Sequence, residues 1–209
     1  MRVELPAIPQ EKKWLFAAAA YVVFCVLYLL TGNYHLRAPI LLTPSAIDEK
    51  ISFLDWTVWV YNSQFFFLII NIYLMRKAQN FSRTFYAMAL VSLFSFCIFA
   101  IFPTTLPREF VTGTGLTAKA FQWLYTIDSS SNCFPSLHVA LAWISAIGVL
   151  NERKIFGALV CLWAVMITLS TMTTKQHYFI DVIAGLILAA LFRVLLMKVE
   201  VAALASSKS

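Results

Sequence analysis

The residues best suited to chemistry lie in Ser170-Thr-Met-Thr-Thr-Lys175-Gln-His177-Tyr-Phe-Ile-Asp181, a stretch flanked on both sides by long apolar runs. His177 and Asp181 stand four residues apart, so a helix beginning here places imidazole and carboxylate one turn apart on the same face. A carboxylate in that position holds the ring in one tautomer and favours its cationic form, which prepares a histidine as nucleophile or base. The same spacing also fits a capped helix start with a polar rim and no chemistry. A second histidine, His138, follows Ser136 in Cys133-Phe-Pro-Ser136-Leu-His138. With Arg108 and Lys175 these groups suit phosphoryl transfer. Arg108 can fork two hydrogen bonds to phosphate oxygens and Lys175 can add a point charge. Ser136 and the free N–H groups of the helix beginning near it can hold a third oxygen. One histidine would attack phosphorus while the other protonates the leaving oxygen.

The elements that must position these groups are membrane helices. Of the 209 residues 61% are apolar and 12% charged, with a mean hydropathy of +0.79; a soluble domain carries roughly a quarter of charged residues. Apolar runs at 14–30, 56–75, 84–102, 138–150, 155–172 and 179–197 predict an all-α integral membrane bundle of six transmembrane helices. The chain reads as a single membrane domain, 1–209, with a core at about 14–198 and cytoplasmic tails at 1–13 and 199–209. The first run is read as a retained span, because its alanines, Ala17 to Ala20, lie at its start and not at a cleavage site.

Between the runs, Ser45 with Asp48 three residues on predicts a short capped surface helix, and 76–83 reads as a basic loop. The interval 104–134 holds a flexible Thr112-Gly-Thr-Gly115 and an aromatic stretch through Phe121, Trp123, Leu124, Tyr125 and Ile127. Aromatics at that spacing predict a short interfacial helix in the external loops. Ala184, Gly185, Ala189 and Ala190 give the last helix small residues for close packing. Arg193 is expected to snorkel to the cytoplasmic surface and 198–209 to be disordered. Cys25, Cys97, Cys133 and Cys161 show no paired spacing, so neither a disulfide framework nor a zinc site is suggested.

Six spans put both termini on one side. Arg2, Lys12, Lys13, Arg76, Lys77, Arg83, Arg153, Lys154, Arg193, Lys198 and Lys208 share that side, against Arg37, Lys50, Arg108, Lys119 and Lys175 on the other, eleven to five. The termini are therefore expected in the cytoplasm. The net charge of +6 need not mean nucleic acid in a membrane protein, whose basic residues gather in cytoplasmic loops, so the expected partner is the lipid bilayer, with no nucleic acid. Arg108, Ser136, His138, Lys175, His177 and Asp181 then fall at the external face, from three separate hairpin ends. Ionisable groups clustered at membrane depth are costly unless they serve a site, so their convergence predicts one.

Pro135-Ser136-Leu137-His138 followed by Ser170, His177 and Asp181 resembles the type 2 phosphatidic acid phosphatase superfamily. Its second motif reads Pro-Ser-Gly-His, and its third has serine, arginine, five residues, histidine, three residues and aspartate. The third spacing matches residue for residue, and the resemblance covers about 102–185. It implies that His177 is the nucleophile forming a phosphohistidine, Asp181 its orienting partner and His138 the general acid, with Ser136 and Arg108 binding phosphate. Thr171 stands where the motif arginine usually follows the serine, and Lys175 is the candidate substitute; Ser170 is carried over as a further phosphate contact. Leu137 replaces the usual glycine. The lysine position of the first motif is Ile101, and Pro107 precedes Arg108 where the family has Arg-Pro.

These departures look closer to the branch containing inositol phosphorylceramide synthase and sphingomyelin synthase-like enzymes. The implied function is hydrolysis of a membrane lipid phosphate ester at the external face, or transfer of a phosphorylated head group to a lipid alcohol. No cofactor is expected, because arginine, lysine and helix N-terminal amides neutralise the phosphate.

Two readings lie outside this one. His138, His177 and Asp181 have the ligand types of a zinc or iron site, but Arg108 and Lys175 would then adjoin a cation. A transporter or proton relay also uses ionisable residues in spans, but here they cluster at one face and leave the middles of the spans almost uncharged.

Overall fold

In lipid only a helix satisfies every backbone N–H and C=O within its own segment, so apolar runs of about 20 residues fold as helices. The structure is a computed structural model that describes residues 4–197 and 199–201. It is mostly helical: α1 Lys13–Asn33, α2 Ala46–Lys50, α3 Val58–Asn62, α4 Gln64–Leu74, α5 Ala78–Ile101, α6 Leu116–Ile127, α7 Leu137–Glu152, α8 Lys154–Thr173 and α9 Phe179–Met197. A 3-10 turn at Asp55–Thr57 leads into α3, and Ser63 joins α3 to α4, its N–H donating to Trp59 and Val60 carbonyls.

Among the described residues five helical segments are long and apolar enough to cross a membrane: Gln10–Asn33, Asp55–Leu74, Ala78–Ile101, Lys154–Thr173 and Phe179–Met197. The remaining apolar helix, α7, has 16 residues. It rises about 24 Å against a hydrocarbon core of about 30 Å, so the expectation of six full-length spans meets five and a shorter one.

The short helix lies at the centre. α7 packs against α4, α5, α8 and α9. Val139, Ala140, Ala142, Ile144, Ala146 and Val149 are all buried, on every side of the helix. A polar group shut away from water needs a hydrogen-bond partner, and two such groups inside the bundle find one. Asn71 donates to the Ser145 hydroxyl at 3.0 Å and Trp163 to Ser63 at 2.8 Å. The outer faces stay apolar and open, with Leu15, Val22, Val26, Ile69, Leu159 and Leu162 all more than half exposed. Water leaves no such belt uncovered on a soluble monomer, and lipid does.

Several expectations are corrected at one end of the bundle. The basic loop shrinks to three residues, 75–77, because α5 begins at Ala78, with Phe81 and Ser82 buried where a loop was expected. The N-terminal segment is no free tail: the Ile8 N–H donates to Ser82 at 2.8 Å, and Lys13 turns its ammonium onto the Ile72 and Met75 carbonyls at the end of α4. Glu4–Leu5 pairs in parallel with Glu200–Val201, so part of the expected disordered tail is a strand; 202–209 lie outside the described residues. Arg193 does not snorkel. It is 4% exposed and turns inward to Thr84 and Asn80 on α5. At the opposite end Ile40–Leu41 pairs in parallel with Thr104–Thr105, joining the loop after α1 to the one after α5.

Candidate active site

At that second end the chain brings the start of α7 onto the start of α9. Ser136 is the N-cap of α7, its hydroxyl accepting from the Val139 N–H at 3.4 Å. The Ser136 N–H donates to the Asp181 carbonyl at 3.1 Å. The contact needs a glycine. A Cβ on Gly185 would lie 2.6 Å from the Ser136 carbonyl oxygen and 3.1 Å from Val139 Cβ. Gly185→Ala should therefore cost about 1–3 kcal/mol of stability. It should also slow turnover by parting the two helices, with thermal unfolding and activity of the purified variant as the readouts.

His177 sits in the turn between α8 and α9. Thr171 O accepts from both the Gln176 and His177 N–H groups at 3.0 Å, while Lys175 adopts a left-handed φ of 55° just past the helix end. Asp181, at the third position of α9, accepts from the Tyr178 N–H at 2.8 Å and is fully buried. Its Oδ2 lies 3.5 Å from His177 Nδ1. Nδ1 and Asp181 Oδ1 are both buried without a hydrogen-bond partner. Catalytic hydrogen bonds often tighten when a ligand binds, and a small closing motion here would bring Nδ1 onto Oδ2.

The two imidazoles face one small cavity, their ring centroids 6.2 Å apart. Arg108 lines it too. Its guanidinium donates to the Tyr125 carbonyl at 3.2 Å and to the Asp128 carbonyl at 2.5 Å, at the C-terminal end of α6, and lies 4.6 Å over the Tyr125 ring. The cavity holds about 20 Å³, room for one water-sized group.

Of the expected site residues, Arg108, His138 and His177 line this cavity, with Asp181 behind His177. Ser136 is fully buried as a helix cap and does not line it. Ser170 and Lys175 are directed elsewhere. The Ser170 hydroxyl donates to Ile167 O in its own helix, and the Thr171 hydroxyl likewise to Thr168 O. The Lys175 ammonium donates to Asp48 O at 3.0 Å and to Ile51 O, capping the last carbonyls of α2.

Asp48 completes that clamp. It forms the expected capping box with Ser45 and accepts from the Phe179 N–H at 2.7 Å, where α9 begins. Burial raises the Asp48 carboxyl pKa, but hydrogen bonds from Ser45 and Phe179 and the charge of Lys175 outweigh it and leave the group below its ordinary value. Lys175 and Asp48 thus fix the turn that carries His177.

Sequence reasoning missed Tyr28, Tyr61 and Asp128. The Tyr61 hydroxyl lies 3.3 Å from His138 Nδ1 and 3.3 Å from Asp128 Oδ2, and its ring stacks on His138 with centroids 4.3 Å apart. Tyr28 donates to the other oxygen of Asp128. A tyrosine hydroxyl has one proton. If it goes to Asp128, Nδ1 of His138 must be the donor to Tyr61, which leaves Nε2 to exchange a proton with a ligand. The available signal was weak: two tyrosines inside apolar runs whose hydroxyls need partners once buried.

Burial pushes the Asp128 carboxyl above its ordinary value of 3.8, although Tyr28, His177, Arg108 and Tyr61 pull the other way. A carboxyl whose folded pKa is raised holds its proton to higher pH when folded, so ionisation weighs against the folded state above that pKa. Asp128→Asn removes that effect. Its stability relative to the unaltered protein should rise as pH climbs from 3.8 through the folded pKa, then level off, read as melting temperature against pH.

Among the described residues no group of three His, Cys, Asp or Glu side chains is arranged to hold a metal ion. A family model described as the PAP2 superfamily matches residues 27–195. A search of curated proteins returns no match.

Proposed function

Because the chain belongs to the PAP2 superfamily, whose members act on phosphate esters, we propose that it is a membrane lipid phosphatase working through a phosphohistidine. The observation that carries this reading is His138 and His177 on one cavity, 6.2 Å apart, with Arg108 beside them and Asp181 behind His177.

In the first step Nε2 of His177 attacks phosphorus. A P–N bond forms as the ester P–O bond breaks, and cationic His138 gives its proton to the leaving oxygen. Asp181 stabilises the positive imidazole and fixes its tautomer. In the second step neutral His138 takes a proton from water, the oxygen attacks phosphorus, and the P–N bond breaks to release phosphate. Arg108 meets the charge on the phosphoryl oxygens, and Ser136 holds the start of α7 so that its free amides point at them.

The present cavity admits only a water-sized group. A phosphate is therefore received when Arg108 leaves the Tyr125 and Asp128 carbonyls and turns to the ligand. The Thr112-Gly-Thr-Gly115 segment, with Gly113 at a φ of 119°, lies next to Arg108 in the chain and gives the loop that freedom.

The sixth span in this reading is α7. Its first turn carries His138 at the end of the bundle where the cavity lies. The charge distribution, eleven to five, supports cytoplasmic termini and an external active site.

A second reading is transfer of a head group to a lipid alcohol. Among the described residues Arg108 is the one arginine or lysine lining the cavity, since Lys175 serves α2. A phosphodiester carries one negative charge where a monoester carries up to two, so a single guanidinium matches it better. The test is incubation of the purified protein with phospholipids and polyprenyl phosphates, with and without an acceptor alcohol. Released phosphate supports hydrolysis and a new lipid supports transfer; neither product from any lipid would sink both.

A further inference from the structure

At the other end of the bundle the start of α5 and the ends of α7 and α9 enclose a second cavity of about 250 Å³. Lys77, Asn80, Arg83, Glu152 and Arg193 line it. Arg193 is 4% exposed on a helix whose other charged residue, Asp181, lies at its far end. It donates to Thr84 Oγ1 at 3.1 Å and to Asn80 Oδ1 at 3.4 Å. Its Nε, and the Nε of Arg83, are buried with no hydrogen-bond partner.

Among the described residues the one carboxylate on the cavity wall is already engaged. Glu152 accepts from the Arg76 and Lys77 N–H groups and from the Asn80 side chain. Among the same residues neither guanidinium forms an ion pair with a carboxylate.

Two guanidinium groups on one cavity, Arg193 buried and Arg83 half-buried, each with its Nε unpartnered and neither in an ion pair, are unfavourable unless an anion completes them. A phosphate group is the anion whose oxygens match a guanidinium fork, and basic pockets between membrane helices take phosphate head groups. A water molecule occupies about 30 Å³ of liquid, so a phosphate and the first atoms of its ester fit the space.

We propose that this cavity is a phosphate-binding site separate from the catalytic one, with Arg193 and Arg83 as its ligands and exposed Lys77 adding charge at its rim. It occupies the far ends of α7 and α9, whose starts carry His138 and Asp181. It stands whether or not His177 is a nucleophile.

The test uses the full chain with Arg83→Gln, Arg193→Gln and His177→Asn. One arm counts phosphatidylglycerol molecules retained per chain by native mass spectrometry after reconstitution with phosphatidylcholine. The other follows radiolabelled inorganic phosphate by equilibrium dialysis. One anion per chain should be at least about tenfold weaker in Arg83→Gln and Arg193→Gln and unchanged in His177→Asn. Loss in the first arm marks a lipid as the source; loss in the second, free phosphate. Arg83 is only half-buried, so its variant keeps the test open if Arg193→Gln fails to fold. Equal binding of both probes by Arg83→Gln and the unaltered protein overturns the proposal, as does a loss seen only in His177→Asn.

Discussion

Replacing His177 by alanine is expected to lower turnover of a lipid phosphate ester by about 10⁴-fold or more. The size follows from the role. Removing a nucleophile deletes the pathway in which Arg108, His138 and Asp181 act as one unit, and leaves only what those groups do for direct attack by water. The fold should survive. The His177 backbone N–H donates to Thr171 O, a bond alanine keeps, and Asp181 is held by the Tyr178 N–H independently of the ring. Thermal unfolding measured beside activity separates the two effects, and substantial retained turnover would remove His177 from the chemistry.

Replacing His138 by alanine should have the next largest effect, and its size should depend on the substrate. A general acid contributes about 10²–10⁴-fold when the leaving oxygen is a poor leaving group. An alkoxide from a lipid alcohol is one; nitrophenolate leaves without help. Because His138 is also the base of the second step, which both substrates share, the contrast is read in formation of the phosphoenzyme: it should slow strongly with a lipid phosphate and much less with a nitrophenyl ester. Equal slowing with both would count against the acid role and suggest that the ring is needed for shape, since it also stacks on Tyr61.

What could be read from the sequence was whatever repeats locally. The helical runs were visible because lipid demands long apolar stretches, and His177-x-x-x-Asp181 was visible because the pair is local in the chain, although His177 lies in the turn before α9 and not on the helix itself. The capping box of α2 was visible for the same reason, within four residues of chain.

What depends on distant contacts was hidden. Tyr28 and Asp128 meet across 100 residues, and Tyr61 and Asp128 across 67. No period in an apolar run says which tyrosine faces inward. Lys175 looked like a phosphate ligand because a cation so near His177 in the chain could reach the same anion. Its partners, the carbonyls of Asp48 and Ile51, are more than 120 residues away in sequence. Arg193 misled in the same way: near a helix end a long basic side chain usually reaches water, but Thr84 and Asn80 offered it partners inside. The central place of α7 was equally hidden, because its apolar run says nothing of the four helices, α4, α5, α8 and α9, that pack around it.

The most direct test is to trap the phosphoenzyme. The unaltered protein is mixed briefly with lipid phosphate carrying radioactive phosphorus, quenched in base, digested and mapped. The label should be base-stable and acid-labile, as a phosphorus–nitrogen bond is, and should lie on the peptide containing His177. It should accumulate further in His138→Ala when a nitrophenyl phosphate is the donor, because the slower second step then limits turnover. Label on another residue, or rapid turnover under which no quench time finds labelled histidine, would contradict a phosphohistidine at His177.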